Sequence, residues 1–216
     1  MRVLTIDCAL PTCGVALVEN AVVLAERLVE APRGQAALLP PLLAALLAEG
    51  RRFDLVAASV GPGSFTGLRV GLSLAHGVAL ASGATLVGVT VGEAIAAMPA
   101  EPGCAGRTLW VATGARTGRV FLEHAGTARA AALDALPMPC GPVALAGPAA
   151  PEVAVAWAAK GVDVLLTAIR RPGPAALAAV ALRRQAGELP PREAQPLYVD
   201  PPEAALPRGG LRPPPA

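Results

Sequence analysis

The stretch Gly61-Pro62-Gly63-Ser64-Phe65-Thr66-Gly67-Leu68-Arg69-Val70-Gly71 joins two apolar segments of the chain. Before it, the largely apolar run from Leu55 to Ser59 predicts a buried strand. After it, an apolar segment continues without proline to Ser82, and Ser64 is a residue type that commonly caps a helix N-terminus. The pattern therefore predicts a buried strand, a glycine-rich turn and a helix that runs to about Ser82.

The segments around this turn alternate between strand and helix patterns. Three short apolar segments predict a strand meander at residues 3–7, 14–18 and 21–26. The remaining predicted elements of this half are helix, strand, helix, strand and helix, at residues 35–49, 55–59, 64–82, 85–89 and 91–98. Antiparallel strands followed by alternating helices and parallel strands define an α/β, ribonuclease-H-like lobe, the unit of actin-like and sugar-kinase-like ATPase folds.

The second half predicts a smaller lobe with fewer clear elements. The Pro- and Gly-rich segment from Pro99 to Gly106 predicts a linker between the lobes. Beyond it we expect a hairpin, a helix, a strand and a helix, at residues 109–124, 153–160, 162–166 and 174–185. No internal sequence repeat is visible. The chain is therefore divided into two lobes with mixed sheets, at 1–100 and 101–205, and a Pro-rich disordered tail at 206–216.

The composition narrows the classes of function. Hydrophobic residues make up 54% of the chain and the net charge is +2 without any long basic run, which argues against autonomous nucleic-acid binding. The four cysteines are scattered and the chain opens directly on a strand pattern, so we expect free thiols, no signal peptide and a cytoplasmic location. Residues 70–92 carry no Asp, Glu, Lys or Arg, but five glycines interrupt them, which favours a buried helix and strand over a membrane span.

The glycine-rich stretch allows several interpretations. Its position between a strand and a helix is that of a phosphate-binding loop, in which helix amides hold an anion. It lacks the lysine that a Walker loop carries after the last glycine, and Ser64 has no histidine and acid in an obvious relation to it that would make it a nucleophile. A tight turn capped by Ser64 is the simpler interpretation, and an anion site stays open as the alternative.

Small residues recur every four positions in the predicted helix, at Gly67, Gly71, Ala75 and Ala79, so they lie along one ridge. Glycine in a helix interior costs about 0.5–1 kcal/mol relative to alanine, which implies a close contact in return. The ridge fits close packing within the subunit, for example on the helix at 35–49. It fits a helix of another chain equally well, and the spacing alone does not decide between the two.

The titratable residues form no recognisable catalytic constellation. Asp7, at the end of the first strand, has the position where actin-like ATPases place an acid that faces magnesium-bound nucleotide, and it fits a turn-capping role equally well. His76 and His124 lie far apart, with no second ligand at metal-binding spacing. Further polar residues surround the predicted hairpin without forming an acid–base pair, namely Glu93, Arg116, Arg119 and Glu123. We therefore expect no catalytic residue, no metal and no independently bound cofactor.

The stretch from Gly61 to Gly71, followed by Leu74-Ala75-His76-Gly77-Val78-Ala79, resembles the TsaB (YeaZ) family. Shorter segments extend the resemblance over residues 1 to about 125 and to scattered points beyond, namely Leu4-Thr5-Ile6-Asp7, Cys13-Gly14-Val15-Ala16-Leu17, Pro32-Arg33 before Leu38-Leu39-Pro40, Ala115-Arg116-Thr117-Gly118-Arg119-Val120-Phe121 and Pro196-Leu197-Tyr198. The resemblance implies two actin-like lobes and a role in making threonylcarbamoyladenosine at position 37 of tRNAs that read codons starting with A.

In the family that the chain resembles, this subunit is non-catalytic and forms a heterodimer with its catalytic paralogue TsaD, and the ATPase TsaE joins the pair. TsaD carries a metal-binding H-x-x-x-H motif, which this chain lacks. The family's helix after the glycine-rich stretch packs against TsaD, so the resemblance assigns the small-residue ridge to a partner interface. The residues implied in that interface are Ser64, Phe65, Thr66, Gly67, Leu68, Arg69, Val70, Gly71, Leu72, Ala75 and Ala79.

The resemblance also sets expectations for ligands and partners. Nucleotide at the interface with the partner is left open, tRNA is expected only through the complex, and a homodimer through the same helix is expected when the partner is missing. The alternatives are an actin-like small-molecule kinase or ATPase and a glycoprotease-like peptidase. The chain departs from many family members at Gly34, Gly114 and Asp200, where a His, an acid and an Arg are common.

Overall fold

A computed structural model describes residues 1–48, 50, 52–114 and 118–199. The strands of its first sheet are β1 (Arg2–Asp7), β2 (Thr12–Glu19), β3 (Val22–Glu30), β4 (Leu55–Gly61) and β5 (Thr85–Thr90). Their order is β3-β2-β1-β4-β5, with β1 antiparallel to β2 and parallel to β4. The helices of this half are α1 (Gln35–Leu47), α2 (Phe65–Ser82) and α3 (Val91–Ala96). The predicted meander and the alternation of helices and strands after it are confirmed.

The second sheet repeats this topology although the sequence shows no repeat. Its strands are β6 (Thr108–Gly114), β7 (Arg119–His124), β8 (Thr127–Ala132), β9 (Val143–Ala146) and β10 (Val164–Leu166). Their order is β10-β9-β6-β7-β8, and α4 (Ala150–Ala158) packs on this sheet. The sequence analysis missed β8 because its alanine-rich composition is poor in strand formers, and it missed β9 because that strand has four residues.

The last helix, α5 (Pro174–Gln185), corrects the predicted division into lobes. The sequence assigns residues 101–205 to the second lobe, but α5 returns to the first sheet, where Leu177 packs in one cluster with Val3 and Leu55. The physical reason is that α1 and α2 cover only one face of the first sheet, so its other apolar face needs a second helical layer. The predicted tail at 206–216 lies outside the described residues.

The uncharged segment at 70–92 forms most of α2 and then β5, as the sequence predicts. The strand is buried in the first sheet at Val87 and Val89. Within the residues that the structure describes, we find no helix that is both long enough and apolar enough to cross a membrane.

The glycine-rich stretch is a tight turn that lies against the loop between β1 and β2. Its Gly61-Pro62 peptide bond is cis, and the Ser64 N–H donates to the Ala9 carbonyl oxygen over 2.7 Å. A side chain at Gly63 would overlap that same carbonyl group. The Ser64 hydroxyl caps α2 by accepting a hydrogen bond from the Gly67 N–H at 3.1 Å, which confirms the predicted N-cap.

Gly67→Ala is expected to destabilise the protein, because the added Cβ would overlap the Cys8 carbonyl oxygen and the Gln35 side chain. Overpacking of this kind costs about 1–3 kcal/mol of unfolding free energy. Gly77→Ala is the matched control in the same helix, since its Cβ meets no atom within 4 Å, and it should stabilise the protein by about 0.5–1 kcal/mol. Urea denaturation measures the unfolding free energy of both variants. Equal changes in the two variants would contradict the close packing of α2 on the β1–β2 loop.

Candidate protein-interaction site

The small-residue ridge of α2 faces the interior of the subunit. Gly67 lies against the Cys8 carbonyl group and Gln35, and an added Cβ at Gly71 would lie 3.5 Å from the Cys8 Cβ. These contacts correct the expectation that the ridge contacts another chain. The small residues of the ridge let α2 approach the β1–β2 loop and α1 closely, and larger side chains would prevent that approach. The predicted interface residues that are buried in this way are Gly67, Leu68, Gly71, Leu72, Ala75 and Ala79.

The opposite side of α2 is exposed. Predicted interface residues that reach the surface are Ser64, Phe65, Thr66, Arg69 and Val70, of which the first and last are half-buried. Phe65 is 54% exposed and Leu80 is 88% exposed, so two large apolar side chains lie on the exposed side of one helix. The sequence analysis missed Ser73, Gly77 and Leu80 on this side. The sequence could have indicated these three residues, because they follow Thr66 and Arg69 at helical spacing. The more regular spacing of the small residues drew attention to the other side of the helix.

Helix α1 lies beside α2 on the same face of the first sheet. Its core positions are Leu39, Leu43 and Leu46, which belong to the same buried cluster as Leu72 and Ala75. Its outer positions are also apolar, and residues 34–48 contain no charged side chain. A helix that is apolar all round is typically buried on all sides in the functional assembly. The sequence analysis treated α1 only as a packing partner of α2, although the missing charges were visible in the sequence.

We call the exposed surface of these two helices the α1–α2 face. Its exposed residues are Ala36, Ala37, Leu38, Pro40, Pro41, Ala44, Ala45, Phe65, Thr66, Arg69, Ser73, His76, Gly77, Leu80, Ala81 and Ser82. Arg69 is the only Asp, Glu, Lys or Arg residue of this face. Residues 34–48 contain none of these residue types, and Arg69 is the only one between Asp54 and Glu93. Adjoining helices with an uncharged outer side are typical of a surface that another protein covers.

Polar groups at the turn before α2 form hydrogen bonds with other residues of the same chain. The Leu68 N–H donates to the Ser64 carbonyl oxygen, and the Gly67 N–H donates to the Ser64 hydroxyl. That hydroxyl donates in turn to Gln35 Oε1 at 3.3 Å, and the Gln35 amide donates to the Leu10 carbonyl oxygen at 2.9 Å. These contacts favour the structural interpretation of the turn over an anion site or a nucleophilic serine.

The two histidines have structural partners. His76 Nε2 lies 2.9 Å from the Ala194 carbonyl oxygen, and His124 Nδ1 lies 3.1 Å from the Leu109 carbonyl oxygen. The His124 ring also stacks on Trp110 at 4.5 Å between ring centroids. Across residues 1–48, 50, 52–114 and 118–199, no group of three or more His, Cys, Asp or Glu side chains could hold a metal ion. Arg116 and Asp200 lie outside these ranges.

Asp7 lies at the end of β1, beside a cavity of about 20 Å³. Its carboxylate accepts a hydrogen bond from the Ala9 N–H at 3.0 Å. Burial raises the pKa of Asp7, although this hydrogen bond and the positive charge of Arg171 act in the opposite direction. The cavity has room for about one water molecule and is far smaller than a nucleotide.

Glu123 connects the two lobes. It lies on β7, is 4% exposed, and accepts a hydrogen bond from the Gly92 N–H in the first turn of α3 at 2.6 Å. A Cβ at Gly92 would lie 2.7 Å from Glu123, so the carboxyl group packs directly on that glycine. Burial raises the pKa of Glu123 to about 7, with a smaller contribution from the charge of Glu93, against hydrogen bonds from Thr90 and Gly92 and the charge of Arg192.

Glu93 follows Gly92 in α3 and holds a separate set of polar contacts within the first lobe. Its carboxylate accepts hydrogen bonds from the Thr90 N–H at 2.9 Å and from Arg184 Nη2 at 2.6 Å. Arg192 Nη2 lies 3.4 Å from the same carboxylate. Burial acts to raise the pKa of Glu93, but the hydrogen bonds and the two positive charges outweigh it and hold that pKa below its usual value. Polar contacts therefore link β7 to α3, and α3 in turn to α5.

The two lobes have the same strand order. In the first lobe β1 lies between β2 and β4, and in the second lobe β6 lies between β7 and β9. This arrangement defines an actin-like ATPase fold. The family described as TsaD, tRNA N6-adenosine threonylcarbamoyltransferase, matches residues 30–140. The chain belongs to this family.

Similar proteins extend over most of the chain. Uncharacterized proteins of Mycobacterium tuberculosis (strain H37Rv) and Mycobacterium bovis are 36% identical to it over 190 residues, which cover 82% of this chain and 83% of theirs. YeaZ from Pseudomonas aeruginosa superposes with a TM-score of 0.67 at 22% identity, covering 92% of this chain and 100% of YeaZ. A crystal structure described as an uncharacterized protein with similarity to peptidase YEAZ from Pseudomonas aeruginosa superposes with a TM-score of 0.70, at 22% identity and coverages of 92% and 99%. The resemblance to the TsaB (YeaZ) family is confirmed.

The contribution of Glu123 to stability is expected to depend on pH. Its folded pKa of about 7 lies above the ordinary value of 4.5, so the contribution is present below pH 4.5 and is lost as pH rises through 7. At about 1.4 kcal/mol per pKa unit, the complete loss is on the order of 3 kcal/mol. Glu123→Gln keeps a hydrogen-bond acceptor but cannot ionise, so relative to wild type it should gain stability between pH 5 and pH 8.

Urea denaturation across this pH range measures the difference between the two proteins. Comparison with wild type cancels the titration of Glu93 and Asp7 to first order. Glu152→Gln, at an exposed position on α4, is the control and should follow the wild-type profile. Parallel profiles for wild type and Glu123→Gln would show that Glu123 does not titrate as described.

Proposed function

We propose that the chain is a non-catalytic subunit required for threonylcarbamoyl transfer to adenosine 37 of tRNAs that read codons starting with A. It forms a heterodimer with TsaD through the α1–α2 face, and TsaE then joins the pair. Membership of the TsaD family supports the assignment to this reaction. The observation that carries the partner role is the uncharged outer side of two adjoining helices.

The shape of the α1–α2 face suits helix-on-helix docking. Its exposed residues Ala44, Ala45, Ser73 and Gly77 are small, so ridges on a partner helix can enter the grooves beside them. Leu80 and Phe65 project from the same face, and full burial of a leucine or phenylalanine contributes about 1.5–3 kcal/mol each. The face therefore offers both a close backbone approach and apolar anchors.

The contacts of the candidate catalytic residues support a non-catalytic role. The Ser64 hydroxyl holds Gln35 and the first turn of α2, while each histidine contacts a backbone carbonyl group. Asp7 caps the turn after β1 and lies beside a cavity for one water. These arrangements favour a partner subunit over an actin-like kinase or a peptidase.

The same face forms a weaker homodimer when TsaD is missing, because a two-fold axis can pair one surface patch with itself but supplies no carboxylate to Arg69. We place any bound nucleotide at the interface with the partner rather than in this chain alone. With 18 basic and 16 acidic residues, the chain contacts tRNA only as part of the complex. A cytoplasmic location follows from the proposed role in tRNA modification.

Leu80→Glu should weaken the complex of the chain with the TsaD of the same cell and should lower the threonylcarbamoyladenosine content of tRNA. Docking would have to desolvate the new carboxylate on an apolar surface, which we expect to weaken binding by at least about tenfold, or 1.4 kcal/mol. Size-exclusion chromatography of mixtures and mass spectrometry of tRNA nucleosides measure the two effects.

Val155→Glu is the matched control, because it places the same charge at a 73% exposed apolar position on α4 of the second lobe. This variant should bind TsaD and support modification like wild type. If both variants are folded and bind TsaD equally well, the α1–α2 face is not the interface and the proposal is wrong.

A further inference from the structure

Three side chains form an exposed cluster at the start of α2. The Arg69 guanidinium carbon lies 3.8 Å from the centroid of the Phe65 ring and 5.9 Å from that of the Tyr198 ring. Arg69 Nε donates a hydrogen bond to the Tyr198 hydroxyl oxygen at 3.1 Å. Phe65 is 54% exposed and Tyr198 51% exposed, so two of the chain's few aromatic side chains lie together at the surface. The rings and this hydrogen bond orient the guanidinium plane.

Tyr198 reaches this position through the segment 192–198, which we call the C-terminal strap. Backbone hydrogen bonds hold it at both ends: the Gly88 N–H donates to the Arg192 carbonyl oxygen at 3.0 Å, and the Leu197 N–H donates to the Val60 carbonyl oxygen at 2.8 Å. Between them, His76 of α2 contacts the Ala194 carbonyl group. The strap therefore places Tyr198 beside Arg69 although 129 positions separate them in sequence.

Among residues 1–48, 50, 52–114 and 118–199, Arg69 has no carboxylate partner for its positive charge. Its side-chain hydrogen bond goes to Tyr198, and no carboxylate of the described residues lies within ion-pair distance of it. Its terminal Nη groups are left to donate to a ligand. Covering such a guanidinium with an apolar surface is strongly unfavourable unless the covering surface supplies an acceptor of opposite charge.

We propose that Arg69, oriented by Phe65 and Tyr198, binds a carboxylate on the protein that covers the α1–α2 face. This inference rests on the proposed function and specifies the chemistry of the partner: an apolar helical surface with one Asp or Glu side chain opposite Arg69. A carboxylate accepts two parallel hydrogen bonds from a guanidinium, which gives the docked helices one orientation as well as affinity. Phe65 and Tyr198 shield that pair from water, and the C-terminal strap becomes part of the interface.

Calorimetric titration of the full chain with purified TsaD of the same cell tests the proposal. Arg69→Glu should raise the dissociation constant by about 100-fold or more, because two carboxylates would then face each other. Arg69→Lys should raise it by about tenfold, since an ammonium group cannot form the planar two-point contact. Tyr198→Phe keeps the ring and removes the orienting hydroxyl, so a smaller loss of about threefold is expected.

The matched control is Arg183→Glu, which reverses a 54% exposed arginine on α5, on the opposite side of the first sheet. It should leave the dissociation constant within about twofold of wild type. Circular dichroism melts of all variants check that each is folded. Substituting Asp and Glu side chains of TsaD by Lys, one at a time, should identify one position that restores binding to Arg69→Glu, and that rescue would establish the ion pair.

The outcomes separate this inference from the proposed function. If wild type itself fails to bind TsaD, the proposed function and the inference fall together. If wild type binds and folded Arg69→Glu binds equally tightly, the inference is wrong and the proposed function stands. If Arg69→Glu leaves TsaD binding unchanged but lowers retention of tRNA by the complex, Arg69 contacts a phosphate and the carboxylate assignment is overturned.

Discussion

The close approach of α2 to the loop between β1 and β2 determines how the first lobe presents its surface. Gly67 lies against the Cys8 carbonyl group, and the Ser64 N–H donates to the Ala9 carbonyl oxygen. Gln35 completes the contact from the start of α1, with its amide on the Leu10 carbonyl oxygen. Together these contacts fix the rotation of α2 about its axis. The small residues consequently face inward and the large apolar ones face solvent.

Much of the first lobe could be predicted from the sequence, because each of its elements has a local signal. Its central strands are apolar runs, its second helix has a serine N-cap, and glycines mark the turns. The second lobe has weaker signals, as in the alanine-rich β8 and the four-residue β9. The return of α5 to the first sheet was not predictable from local pattern, since only the folded sheet shows which apolar face lacks a helical layer.

The candidate site shows the same limit. Spacing places Gly67, Gly71, Ala75 and Ala79 on one ridge, but small residues suit a core contact and an interface equally well, so orientation had to come from the structure. The uncharged segment at 34–48 was a readable signal that α1 shares the surface. The placement of Tyr198 beside Arg69 depends on the path of the C-terminal strap, which no local pattern encodes. The sequence therefore indicated that α2 carries the candidate site. Tertiary packing determines which side of α2 is exposed and which residues lie beside it.

Hydrogen–deuterium exchange of the chain, alone and mixed with the TsaD of the same cell, tests most directly whether the α1–α2 face is the surface that a partner covers. Docking on this face should slow exchange of amides in α1 and α2, because helices buried in an interface open less often. Exchange in α4, on the second lobe, should not change. Unchanged exchange in α1 and α2 in a mixture shown to contain the complex, or slowed exchange confined to the second lobe, would contradict the account.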